Sequence, residues 1–330
     1  MKALTFDDVL LVPSYNHYDS RKLVDVSITD KTEKLKLELP LMSANMDTIT
    51  EHKMANFMWQ KGGIGVLHRF MSIEKNIKEY KKVKTRKVFV SVGCGDREFE
   101  RLEALHTEGA QYFCIDVAHA HAKYVGKMLK RVRDHVKDNA CIMSGNVATY
   151  AGADYLVSCG ADIVKVGIGS GSVCTTRIKT GFGVPMITAI QDCSRISRSI
   201  VADGGIRTPG DIVKSLTFGA DFVMLGQMLA GIEATPKWGR SRNVVYRGMA
   251  SQDVLEENGK VSDWKTSEGI STTLEARRNQ DEIISDIVGG LRSGLTYSGS
   301  INIRELQRKL NYIEITNNGL IESRVHFNRS

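Results

Sequence analysis

The chain has 330 residues, with 45 Lys and Arg against 38 Asp and Glu, for a formal net charge of +7. With 42% hydrophobic and 25% charged residues it can bury a sizeable core, which excludes global disorder and the need for a disulfide scaffold. Mean hydropathy is −0.20 and no apolar run reaches about 18 residues, which excludes a membrane-spanning helix. Asp7 and Asp8 stand where a signal peptide needs its apolar stretch, so a cytoplasmic location is expected. Basic residues are spread along the chain, without zinc spacing, a basic–aromatic ladder or an Arg-rich tail. No nucleic-acid or membrane partner is expected, and the mild positive field suits an anionic small molecule.

Eight short apolar runs follow in chain order, beginning at Leu39, Gly63, Lys87, Tyr112, Ala140, Asp162, Ser199 and Asp221. Helical patterns lie between them, at Arg97–Thr107, Ala122–Val136, Tyr150–Ser158, Ile187–Ser194 and Pro209–Thr217. Runs apolar on both faces suit a parallel sheet covered by helices, and eight of them predict a closed (β/α)8 TIM barrel. Asp281–Arg292 and Ile301–Lys309 read as final helices. Two segments break the rhythm: a Gly/Ser/Thr loop at about 170–183, and a long polar stretch after strand eight at about 231–278, expected to be a flap. No Pro-rich linker or low-complexity stretch marks a second domain, so residues 1–330 read as one catalytic domain.

Most runs end in Gly or polar residues, where a βα barrel builds its active site. The loop Gly167-Ile-Gly169-Ser-Gly171-Ser172-Val-Cys174-Thr-Thr176-Arg177 sets a cysteine among hydroxyls, amides and an arginine, conditions that favour a nucleophilic thiolate. Its glycines can turn amides toward an anion or carbonyls toward a cation. The plainer alternative is a buried Cys in a tight turn. Asp203-Gly204-Gly205 and Gly226-Gln227 end runs seven and eight, where barrels commonly hold a phosphate, although glycines also serve simple turns. Asp203 could pair with a ribose diol. Asp116 precedes His119 and His121, but a third metal ligand is missing, so Asp116 is expected to contact cofactor or substrate, or to cap a helix. Glu268 could be an acid or base delivered by a lid. Strand-end glycines alone would also suit an FMN enzyme, which would leave the cysteine loop unexplained.

The motifs Leu4–Pro13, Asn45-Met46-Asp47-Thr48, Gly145-Asn146-Val147, Gly169–Thr176, Ala202–Gly205 and Tyr246-Arg247-Gly248-Met249 resemble the inosine-monophosphate dehydrogenase / GMP reductase family over nearly the whole chain. The resemblance implies a (β/α)8 barrel assembled as a homotetramer, a covalent adduct between Cys174 and purine C2, and a nicotinamide cofactor. One branch oxidises IMP to XMP with NAD. The other reduces GMP to IMP with NADPH and releases ammonia. Three features resemble the reductase. Only the link Lys84–Lys87 stands where dehydrogenases usually insert CBS modules. The segment from Val261 to Gly269 lacks the Arg-Tyr pair with which dehydrogenases activate water, and is similar to the reductase Glu-Tyr-Arg-Ala-Ser-Glu-Gly. Asp116-Val117-Ala118 resembles the reductase's strand-four ending.

GMP reductase is therefore the expected activity. The alternatives are an IMP dehydrogenase without CBS modules and, from another class, a non-catalytic purine-nucleotide-binding regulatory barrel. By the resemblance, Cys174, Thr176 and Glu268 are catalytic. Met46, Ser172, Asp203, Gly204, Gly205, Gly226, Gln227, Tyr246, Gly248, Met249, Lys265, Ser267 and Gly269 bind the nucleotide. Asp116 and Asn146 lie near the nicotinamide, and carbonyls of Gly167, Gly169 and Cys174 hold potassium. The chain departs from the family pattern at Ser170 (usually Pro), Gln227 and Ala250.

Overall fold

A computed structural model describes residues 2–236, 238–239, 242–259, 266–277 and 279–324. Eight parallel strands close into a barrel: β1 (Leu41–Ser43), β2 (Ile64–Leu67), β3 (Phe89–Val92), β4 (Tyr112–Asp116), β5 (Cys141–Val147), β6 (Ile163–Val166), β7 (Ser199–Asp203) and β8 (Phe222–Leu225). Each pairs with the next, and β8 returns to β1 through Val223↔Leu41 and Leu225↔Ser43. Every strand lies in one of the eight apolar runs. Their residues are almost all buried, because one face fills the barrel and the other meets the helices.

The covering helices are α1 (His52–Gln60), α2 (Ile73–Lys81), α3 (Asp96–Thr107), α4 (Lys123–Val136), α5 (Tyr150–Ser158), α6 (Thr176–Thr180), α7 (Met186–Cys193) and α8 (Pro209–Thr217). Local chemistry starts several of them. Ser72, Thr149 and Thr208 accept backbone N–H groups at the N-termini of α2, α5 and α8, and Pro209 occupies the first turn of α8. In α4, Val125, Met128, Leu129, Val132 and Val136 recur at helical spacing and are buried. The chain passes from α2 to β3 through a short link, with Val83 and Val88 buried on the core.

An N-terminal strand, Val9–Leu11, pairs antiparallel with Tyr312–Glu314. After the barrel come α9 (Gln252–Glu257), α10 (Gln280–Tyr297) and α11 (Ile303–Arg308). The helix α10 runs five residues beyond its predicted end at Arg292. Gly290 and Gly294 explain this: a Cβ there would lie 2.4 Å from Pro209 Cβ and 2.6 Å from Val213 Cγ1, so the glycines let α10 lie close on α8. The predicted flap contains an antiparallel hairpin, β9 (Asn243–Arg247) with β10 (Ser271–Glu275), in register from Asn243↔Glu275 to Arg247↔Ser271. No helix among the described residues is long and apolar enough to cross a membrane.

Candidate active site

The loops after β6 and β7 touch through residues that must be small. A Cβ on Gly167 would lie 1.9 Å from the Asp203 carbonyl, and one on Gly204 would lie 2.5 Å from Ser170 Oγ. Gly204 and Gly205 have φ of 102° and 76°, in the left-handed region that favours glycine. Ser170, where proline is usual, donates its hydroxyl to the Asp203 carbonyl at 3.2 Å. A side-chain hydrogen bond thus ties this loop to the end of β7.

The loop brings Cys174 to the start of α6. Its thiol lies 3.2 Å from Thr176 Oγ1, and that hydroxyl donates to Glu268 Oε2 at 2.7 Å. Glu268 arrives from the flap, ninety-two residues along the chain from Thr176. Backbone bonds dock it: Thr175 N donates to Glu268 O, Ile270 N to Val173 O and Glu268 N to Ala250 O, each at 2.9 Å. Gly248 and Gly269 sit inside this contact. A Cβ on either would lie 3.2 Å from the Val173 carbonyl. The structure therefore gives both glycines a packing role in bringing flap and loop together.

Cys174 differs in setting from the other thiols. Burial pushes Cys114 and Cys193 up to about 12 and Cys94 up to about 11, and holds Cys141 well above its usual value. Cys174 is half-buried on a loop with a hydroxyl partner. Arg177, expected to favour its thiolate, instead packs against Gly169 and Gly183 and donates to the Val184 carbonyl at 2.9 Å. The reason is local: both glycines leave a channel that the arginine stem fills.

At the other end of the crevice, Ser172 Oγ and Tyr246 Oη are 3.1 Å apart. Burial raises the Tyr246 phenol, while the Ser172 contact opposes that shift. A Cβ on Gly226 would lie 3.1 Å from Tyr246 Oη and 3.4 Å from Met46 Sδ, so Met46, Gly226 and Tyr246 are neighbours. Gln227 opens a single helical turn, Gln227–Leu229. Met249 Sδ accepts the Asp47 N–H at 3.3 Å, which places the start of the flap over the end of β1. Ser267 is half-buried beside Glu268. Lys265, and with it the segment Val261–Lys265, lies outside the described residues.

The strand ends of β4 to β7 carry a polar cluster. Lys165 Nζ donates to Asp203 Oδ2 at 2.9 Å and lies 3.0 Å from Asp116 Oδ1. Burial alone would push the Asp116 carboxyl up, but Lys165, Arg69 and Asn45 outweigh it and hold the group below the usual range. Burial would likewise lower the Lys165 ammonium, but Asp203 and Asp116 prevail and raise it. Asn146 donates to Gly167 O at 2.7 Å and to Asp203 Oδ2 at 2.9 Å, and its oxygen accepts Lys165. Its amide is thus engaged within the protein, which makes it a support for the crevice. Asp116, with its side chain 18% exposed, keeps a face open to a carboxamide donor, so the residues present fit a nicotinamide there. Asp116 does not cap the helix that follows it, since the N-cap of α4 is Ala122. The rings of His119 and His121 stand 6.4 Å apart at their centroids. No group of three His, Cys, Asp or Glu able to hold a metal occurs among the described residues. Backbone carbonyls of Gly167, Gly169 and Cys174 supply the oxygen chemistry a hard monovalent cation needs, although Gly167 O already accepts Asn146.

Sequence reasoning missed two residues. Lys165 was visible as a lysine in the middle of the apolar run DIVKVGIG. Arg247 stood in the motif Tyr246-Arg247-Gly248-Met249 without an assigned role. It is buried, binds Asp47 through Nε at 3.1 Å and Glu257 through Nη1 at 2.8 Å, and so latches β9 and α9 to the end of β1. Both carboxylates raise its affinity for the proton.

The fold and this site define a parallel-barrel protein with a loop thiol, a flap-borne carboxylate and a glycine-lined crevice. The family model described as IMP dehydrogenase / GMP reductase domain matches residues 3–326, and the chain belongs to that family. Its members are nicotinamide-dependent oxidoreductases of purine nucleotides. The chain is 36% identical to inosine-5'-monophosphate dehydrogenase of Cryptosporidium parvum, over 98% of this chain and 95% of that one. It is 35% identical to GMP reductase 2 of Bos taurus, over 95% and 94%. A crystal structure of inosine 5' monophosphate dehydrogenase from Legionella pneumophila superposes with a TM-score of 0.88 at 63% identity, covering 96% of this chain and 100% of that chain.

Proposed function

We propose that the chain forms one catalytic domain that carries out redox chemistry at C2 of a purine 5′-mononucleotide, through a covalent bond between that carbon and Cys174. The observation that carries this reading is the relay from the Cys174 thiol to Thr176 to Glu268. As sulfur bonds to C2, the thiol proton has a path through the Thr176 hydroxyl to the Glu268 carboxylate. Asp203 holds the ribose hydroxyls. Ser172, Gly204, Gly205, Gly226, Gln227 and Tyr246 receive the phosphate. Met46, Met249 and Ser267 face the base. Asp116 would hold the carboxamide of a nicotinamide, which would supply hydride chemistry at C2 when bound.

The direction of the reaction divides the family. The comparisons support IMP oxidation with NAD better than the GMP reduction expected from sequence, because the 63% identical structure is described as an IMP dehydrogenase and spans the same length. In that direction Glu268, once it has released the thiol proton to solvent, accepts through Thr176 a proton from the water whose oxygen bonds to C2 as the sulfur departs and XMP is freed. One observation favours GMP reduction with NADPH: the segment from Val261 to Gly269 lacks the Arg-Tyr pair with which dehydrogenases activate water. In that direction protonated Glu268 hands its proton to the departing amine, which leaves poorly uncharged.

One assay separates the two. Absorbance of the reduced nicotinamide is followed with IMP plus NAD and, in parallel, with GMP plus NADPH, while XMP and ammonia are measured. NADH and XMP from the first pair establish the dehydrogenase. NADPH loss and ammonia from the second establish the reductase. Inactivity with both pairs contradicts the proposal. Potassium at the loop carbonyls predicts faster turnover in potassium than in lithium buffer, and the tetramer implied by the family is read by light scattering.

A further inference from the structure

Lys165 stands in β6 among Ile163, Val164 and Val166, and its side chain is 3% exposed. An ammonium at that depth must be paired to be tolerated. The structure makes room for it: a Cβ on Gly145 would lie 2.6 Å from Lys165 Cβ, so β5 can pass close beside the lysine only because residue 145 is glycine. Its Nζ meets Asp203 Oδ2 at 2.9 Å, Asp116 Oδ1 at 3.0 Å and the Asn146 oxygen. The Asn146 amide donates to the same Asp203 oxygen at 2.9 Å. Both donors therefore fall on Oδ2, and Asp203 Oδ1 has no protein partner among the described residues, with the side chain 21% exposed. One cation is shared between two carboxylates that reach the crevice from different strands.

We propose that Lys165 is a positioning residue that couples the nucleotide half of the site to the cofactor half. Drawing Asp203 Oδ2 inward presents Oδ1 to the ribose hydroxyls. Sharing the ammonium with Asp116 makes the charge left on Asp203 depend on the state of Asp116. The inference rests on the proposed assignment of Asp203 to the ribose and Asp116 to the cofactor. Neutralising Asp116 leaves Lys165 to Asp203 alone, which lowers the charge Asp203 offers to the ribose.

The test is calorimetric titration of the intact protein with IMP and with GMP, without cofactor. Asp116→Asn keeps Lys165 in place, and the expected result is nucleotide Kd raised about three- to tenfold by a substitution on the cofactor side. Lys165→Met is expected to raise Kd more than tenfold. In the Lys165→Met background, Asp116→Asn is expected to change nucleotide Kd less than about twofold, because the coupling group is gone. An unchanged Kd in Asp116→Asn overturns the inference, and that variant decides alone if Lys165→Met fails to fold. Equal effects of Asp116→Asn in both backgrounds also overturn it. A wild-type protein that binds neither nucleotide overturns the proposed function, and the inference with it.

Discussion

The sulfur of Cys174, the hydroxyl of Thr176 and the carboxylate of Glu268 form an unbranched chain of contacts 3.2 and 2.7 Å long. Each link carries a different consequence. Cys174→Ala removes the proposed nucleophile, so turnover should fall below detection while nucleotide Kd, measured by titration, stays within a few-fold. Glu268→Gln keeps the bond to Thr176 but cannot hold the proton. It should lower kcat about 10²- to 10³-fold with little effect on nucleotide binding, which steady-state kinetics reads directly. Equal losses in kcat and binding would remove Glu268 from proton transfer. Cys174 was conspicuous in the sequence as a cysteine among glycines and hydroxyls, whereas the role of Thr176 and its link to Glu268 were implied only by the family resemblance. The cluster around Lys165 was not legible, since its four members come from four strands and only the closed barrel brings them together.

Among the elements, the barrel strands could be placed because each lies in a mostly apolar run buried on both faces. The flap hairpin could not. Asn243–Arg247 and Ser271–Glu275 are short, partly exposed and far apart in sequence, so neither alternation nor a turn signal marks their pairing. Its function nevertheless depends on that pairing, because the hairpin carries Glu268 to Thr176. Gly248 is the sensitive point. Gly248→Val puts branched atoms against the Val173 carbonyl and Gly269, and should separate flap from loop. The expected outcome is at least a tenfold loss of kcat, with the urea midpoint of the barrel nearly unchanged. A variant with wild-type kcat would show that flap docking does not limit the chemistry.

For the whole molecule, one buried carboxylate between α1 and α2 predicts a loss of stability in acid. Glu79 accepts His52 N at 3.2 Å, contacts His52 Nδ1 at 2.6 Å and accepts Lys82 Nζ at 2.8 Å. Burial alone would raise its carboxyl, but the bonds from Lys82 and His52 outweigh it and bring it down from 4.5 to about 2. A carboxyl lowered on folding contributes stability above its unfolded value and loses it as pH falls through the folded one. Glu79→Gln should therefore cost on the order of 2 kcal/mol at pH 7. The deficit should shrink below pH 4.5 and vanish near pH 2, as urea titrations across that range will read. A deficit independent of pH would mean that the glutamate acts by packing alone.

The central claim, that the purine is held on Cys174 during the reaction, is tested most directly by acid quench and peptide mass analysis. The protein is mixed with whichever pair it turns over, IMP with NAD or GMP with NADPH, and quenched within one turnover. The account predicts a nucleotide-sized mass increase on the tryptic peptide from Val166 to Arg177, which contains Cys174, and none in Cys174→Ala. Sustained turnover by Cys174→Ala, or an adduct on a peptide carrying another cysteine, would contradict it.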